Sequence, residues 1–140
     1  MSMKMTAAER EAFLADLHVG VLSIAREGRA PLSAPIWYDY EPGGEVWMIT
    51  NASSLKGKAL AGVTHVSLVA QTESLPYRYV SVEGAFTTRP STDDEMLKMA
   101  VRYLGDEGGA QYAQSSPSDD DSIIVSFKPE KWLTVDYGKA

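Results

Sequence analysis

One short stretch, Thr50-Asn51-Ala52-Ser53-Ser54-Leu55-Lys56-Gly57-Lys58, gathers hydroxyls, an amide and two ammonium groups. The polar corner precedes a short helical pattern, so helix-start N–H groups, Ser54 and the amines of Lys56 and Lys58 are expected to converge. Hydrogen-bond donors, a favourable dipole end and positive charge are what a phosphate group requires. The chain is otherwise acidic, with a formal net charge of −6, so a basic corner stands out. The alternative at this point is that the two lysines solvate an exposed helix face.

The rest of the composition narrows the chemistry. The chain has 140 residues, the size of one domain, and is read as a single domain over 1–140. There is no cysteine, which excludes disulfides, thiolate catalysis and Cys-based zinc sites. The two histidines, His18 and His65, lie far apart without ligand-spaced partners, so no metal site is expected. The acidic balance argues against nucleic acid. No apolar run is long enough for a transmembrane helix, and the N-terminus leads into a charged amphipathic helix, so no membrane association and a cytoplasmic location are expected. Ser23, Ser33, Ser67 and Ser81 have no His-Asp arrangement near them. Glu83 reads as a solvent-facing carboxylate, and His18 and His65 as capping or packing residues. No catalytic side chain is identified.

These residues must be positioned by short elements. Thr6-Ala7-Ala8-Glu9 matches a capping box ahead of a helix over 7–17, with Phe13, Leu14 and Leu17 inward. Strands are expected over 19–26, 32–40, 45–50, 65–71, 77–88, 122–127 and 131–137. Pro35 cannot donate to a ladder, which marks an edge, a bulge or a backbone facing something other than a strand. A helix over 55–61 is expected to end at Gly62 in the left-handed way. Gly84 suggests a bulge or bend. Thr92-Asp93-Asp94-Glu95 caps a helix with Met96, Leu97, Ala100, Val101 and Leu104 inward, stopping at Gly105, with a second helical piece around 110–113. Residues 115–121 read as a mobile acidic loop. Seven short strands with few helices read as a closed or nearly closed antiparallel barrel; an open α+β sheet is the runner-up.

Five segments in order carry a resemblance: Val19-Gly20-Val21-Leu22-Ser23-Ile24, Pro31-Leu32-Ser33-Ala34-Pro35-Ile36-Trp37-Tyr38, Val46-Trp47-Met48-Ile49-Thr50, Ser54-Leu55-Lys56-Gly57-Lys58-Ala59-Leu60 and Arg78-Tyr79-Val80-Ser81-Val82-Glu83-Gly84. The chain resembles the pyridoxamine 5′-phosphate oxidase-like split-barrel family, and more narrowly its flavin/deazaflavin oxidoreductases. The resemblance implies a mainly β fold, a six-stranded antiparallel split β-barrel of FMN-binding type. It also implies a homodimer with FMN, or alternatively coenzyme F420, at the subunit interface. Pro35, Ile36 and Trp37 would lie beside the ring. Met48, Thr50 and Asn51 would pack on it and reach toward the ribityl chain. Ser54, Lys56 and Lys58 match the phosphate site. Arg78 and Tyr79, with Tyr77 and Trp132, would come from the second subunit. The family usually carries more arginine at the phosphate site.

True pyridoxamine 5′-phosphate oxidases carry an Arg-x-x-Leu-Leu-Lys-type motif, where this chain has Ile36-Trp37-Tyr38-Asp39-Tyr40. Vitamin B6 oxidation is therefore not expected. The implied activity is hydride transfer between bound FMN or F420 and a small organic substrate. The alternatives are a non-catalytic module that carries or senses FMN or haem, and a structural dimer with an empty groove.

Overall fold

A computed structural model describes residues 2–140. The chain runs α1 (Ala7–Ala15), β1 (Val19–Arg26), β2 (Arg29–Trp37), β3 (Asp39–Tyr40), β4 (Val46–Asn51), α2 (Leu55–Leu60), β5 (His65–Gln71), β6 (Arg78–Pro90), α3 (Asp93–Ser115), β7 (Ser122–Phe127), β8 (Lys131–Asp136) and a 3-10 turn, Tyr137–Lys139. Every strand pairing is antiparallel, in the order β2-β1-β5-β6-β7-β4-β3, with β8 on β6. The two ends of this path, β2 and β3, are consecutive in the chain, so the path closes through Tyr38. Counting β2 and β3 as one bent strand, the wall has six members, and β8 flanks it. The expected barrel is present, with eight strands assigned in all.

The expected strand over 32–40 breaks at Tyr38 because side chains of α3 take its backbone groups. Tyr38 N–H donates to the Tyr103 hydroxyl at 3.0 Å, and its carbonyl accepts from Arg102 Nε at 3.0 Å. Strand β6 is long because it serves two sheets. Residues 79–85 pair with β5, and residues 86–90 with β7. The change of partner falls between Ala85 and Phe86; at Gly84 the β5 register runs through without a shift, and a β-carbon there would come within 2.4 Å of the Lys128 carbonyl oxygen.

Alternation decides the core. Leu22, Ile24, Met48, Leu68, Val80, Val82, Val125 and Phe127 point inward and are essentially fully buried. Helix α1 starts with the Thr6–Glu9 capping box and covers one end with Phe13 and Leu14. It ends at Ala15, because Asp16 is extended, and this leaves Leu17 exposed instead of inward.

Two helix ends differ from expectation. Helix α2 closes at Ala61 in right-handed geometry, and Gly62 has no positive φ. Within α3, Gly105 has φ 80° and ψ 175°, a conformation that suits glycine, and it breaks the helix there. The chain then doubles back: a β-carbon on Gly109 would lie 2.6 Å from the Val101 backbone. Eight residues of straight helix would span about 12 Å. The hairpin buries Met99 and Ala100 and leaves Leu97 and Leu104 exposed, where all were read as inward except Met99, which was not assigned.

Candidate functional site

Outside the barrel, a groove of about 610 Å³ runs between the end of β2, strand β4, the start of α2 and the α3 hairpin. This lies within the roughly 300–1,000 Å³ typical of cofactor sites. Its apolar wall is Ile36, Trp37, Ile49, Met96, Met99 and Tyr112. The Trp37 ring lies flat against Tyr103, 4.8 Å between centroids and 6° between planes, and Tyr112 tilts against it at 5.5 Å. Tyr103 is itself anchored: its hydroxyl donates to the His18 carbonyl and accepts from the Tyr38 N–H. Burial raises the pKa of both Tyr103 and Tyr38, which keeps these phenols protonated as donors.

At the other end the wall gives way to Thr50, Asn51, Ser54 and Lys56. Thr50 is buried, and its hydroxyl lies 3.3 Å from Ser54 Oγ. Ser54 caps α2 by accepting from Gly57 N–H at 3.1 Å, and it donates to the Asn51 carbonyl at 2.6 Å. Gly57 permits this fold of the corner. A β-carbon there would meet the Asn51 and Ala52 carbonyl oxygens at 2.3 and 2.4 Å.

Of the residues singled out in the sequence, the groove brings together Ile36, Trp37, Thr50, Asn51, Ser54 and Lys56. Pro35 sits next to them on β2, whose far side pairs with no strand, an edge position of the kind that tolerates proline.

Others lie elsewhere. Met48 is completely buried, because strand alternation turns it into the core and turns its neighbour Ile49 to the groove. Lys58 lines a separate depression with Ala25, Arg26 and Glu27, since residues two apart on a helix point to different sides. The two lysines therefore do not converge. Arg78 stands over the Phe13 ring at 5.1 Å within its own subunit. Tyr79, one residue on, belongs to the opposite face of β6. Trp132 packs on the core under the Arg10 guanidinium, 4.5 Å from the ring centroid.

Sequence reasoning missed Ile49 and the whole contribution of α3 and the segment after it: Met99, Tyr112, Ser115, Asp119 and Ser122. The acidic loop expected to be mobile is tied to the corner. Asp121 accepts from Ser53 N–H and Ser53 Oγ, and Ser118 N–H donates to Asp93. The histidines stand away from the groove. His18 stacks on Phe13 and its Nε2 bonds the Phe13 carbonyl, and burial lowers its pKa. His65 bonds Thr64 and lies 3.8 Å from Glu130. Among the described residues no cluster of metal-ligating side chains occurs, and no helix is long and apolar enough to cross a membrane.

A six-walled antiparallel barrel with an apolar groove and polar corner on its outside defines the split-barrel class. The model of the pyridoxamine 5′-phosphate oxidase family matches residues 6–136, and the chain belongs to that family. Solved structures agree at the level of the fold. A conserved hypothetical protein, Rv2991, from Mycobacterium tuberculosis superimposes with a TM-score of 0.76 at 22% identity, over 99% of this chain and 89% of that one. An F420 reductase superimposes with 0.70 at 21%, over 88% and 94%. An FAD-binding protein (mll6688) from Mesorhizobium loti superimposes with 0.66 at 17%, over 93% and 94%. A search of curated proteins finds no relative.

Proposed function

We propose that the chain is an oxidoreductase that carries a flavin or deazaflavin nucleotide, FMN or F420, in this groove. One observation carries the reading: a flat apolar wall ending in Thr50, Ser54 and Lys56, on a chain of this family. The wall suits a tricyclic ring, and the corner suits a phosphate. When bound, the cofactor supplies hydride transfer to or from a small organic substrate. The chain's residues bind and orient it. Trp37, held by Tyr103, sets the plane of the wall; Ile49 and Met99 keep water from it; Lys56 and Thr50 hold the phosphate end.

The same proposal includes a homodimer. Pro35, Val21, Val69, Ser81 and Leu133 form one uncharged row across five strands on the outer face of the sheet. Leu133 and nearby Val19 are more than half exposed, at 61% and 53%. A flat uncharged face of this kind suits a second copy, which would close the open side of the groove.

Titration of the purified protein with FMN and with F420, followed by gel filtration, tests the reading. Retention of either with a shifted visible spectrum supports it, and retention of neither rejects it. Faster reoxidation of the bound reduced cofactor by conjugated acceptors, relative to free cofactor, separates an enzyme from a carrier.

A further inference from the structure

We propose that the charges of this groove select a ring cofactor whose phosphate is a singly charged diester over one ending in a doubly charged monoester. This rests on the cofactor reading above and names which class of nucleotide the site takes. Among the described residues lining the groove, Lys56 is the one cation, and Asp119 brings a carboxylate into the same space. Asp119 Oδ1 accepts from Asp121 N–H at 2.9 Å and Ser122 Oγ at 3.1 Å, so the carboxylate is held in place without a cationic partner.

The corner's other donors are largely spent. Both the N–H and the hydroxyl of Ser53 donate to Asp121, at 3.1 and 2.5 Å, and the Ser54 hydroxyl donates to Asn51. What the lining still offers is the Lys56 ammonium and the uncharged side-chain amide of Asn51, since the Thr50 hydroxyl lies 3.3 Å from Ser54 Oγ, whose own proton goes to Asn51. Neighbouring arginines are committed: Arg89 pairs with Glu95, and Arg102 lies 3.4 Å from Asp39. Lys58 and Arg26 serve a different depression.

A phosphate monoester carries a charge of about −1.5 to −2 at pH 7, with a second pKa near 6. A diester carries one charge at any pH of interest. The second charge of a monoester finds no second cation and meets the Asp119 carboxylate in a partly desolvated groove, where repulsion is stronger than in water. FMN presents a monoester; F420 presents a diester at the same place, with the carboxylates of its polyglutamate tail beyond it, so the comparison is made on compounds without that tail.

Riboflavin, FMN and riboflavin 4′,5′-cyclic phosphate, each also as the 5-deaza form, separate charge from ring and size. The titratable groups lining the groove are Lys56 from α2, Asp119 from the loop after α3 and Tyr112 from α3, with Asp121 held by Ser53 beside the corner; the lining residues of β2 and β4 are uncharged. The cyclic diester meets the same groups, so the ratio of its affinity to that of FMN isolates the ligand's own proton. At pH 8 the cyclic diester is expected to bind about tenfold more tightly than FMN, about 1.4 kcal/mol. The gap should close toward pH 5.5 as FMN gains its second proton, and Asp119→Asn should narrow it at pH 8. FMN binding as tightly as the diester at pH 8, as it would if a second copy brought a cation, overturns the proposal. Binding of none of the compounds overturns the cofactor reading itself, a separate result.

Discussion

A β-carbon at Gly57 would fall 2.3 Å from the carbonyl oxygen of Asn51. Helix α2 thus rests directly on the turn that precedes it, and the spacing of the whole polar corner depends on one missing methyl group. Gly57→Ala is expected to cost about 1–3 kcal/mol in urea unfolding, as overpacking does. It should also weaken cofactor binding, because Thr50, Ser54 and Lys56 would no longer share one geometry. Unchanged stability and binding would show that the corner tolerates the shift.

Lys56 and Lys58 should separate cleanly. Lys56→Ala is expected to lose about 1.5–3 kcal/mol of cofactor affinity, the worth of a hydrogen bond to a charged group, measured by fluorescence titration. Lys58→Ala should change it by less than about twofold, since Lys58 faces the Arg26 depression. Equal effects would put the phosphate on the other side of α2.

Tyr103 ties α3 to both Tyr38 and the Trp37 ring. Tyr103→Phe leaves the ring stack but deprives the Tyr38 N–H and the His18 carbonyl of a partner, an expected loss of about 1–3 kcal/mol in stability. Tyr103→Leu should additionally loosen Trp37 and lower cofactor affinity. The comparison of the two variants by unfolding and by titration distinguishes anchoring from stacking.

Leu133→Glu tests the proposed dimer. The side chain is mostly exposed in the single subunit, so the fold should survive with unchanged circular dichroism. Light scattering is expected to report a dimer for the unmodified chain and a monomer for the variant, with cofactor retention falling in step; a monomer in both cases rejects the proposed dimer.

His18 gives stability a pH dependence. Burial lowers its folded-state pKa from 6.5, so the folded protein holds the ring neutral while the unfolded chain takes up a proton. The unfolded state binds more protons below about pH 6.5, and stability falls as pH drops from there toward the lower folded value. Thermal unfolding between pH 7.5 and 5.5 should show this slope, reduced in His18→Gln, which keeps a donor for the Phe13 carbonyl. An identical slope in the variant would assign it to other groups.

Local pattern made much of the fold legible. Both capping boxes form, and the break at Gly105 falls where the sequence placed it. Alternation in β1 matches the burial seen from Val19 to Ile24, whereas in β7 the adjacent Ile124 and Val125 are both buried. The split of β2 from β3 was not legible, since it depends on Tyr103 and Arg102, more than sixty residues away, taking the backbone of Tyr38. The site was half legible for the same reason. Ile36, Trp37, Thr50, Asn51, Ser54 and Lys56 lie on consecutive elements joined by short turns. Met99, Tyr112 and Asp119 reach the groove through a helical reversal.

The sequence by itself determined the barrel strands, the helix starts and the polar corner, because hydrophobic period, capping chemistry and turn residues act over a few neighbours. Tertiary structure alone decided which lysine faces the groove, that Met48 belongs to the core, and that Asp119 shares the groove with Lys56. Those outcomes follow from the rotation of a six-residue helix and the return path of α3, set by packing between segments far apart in the chain.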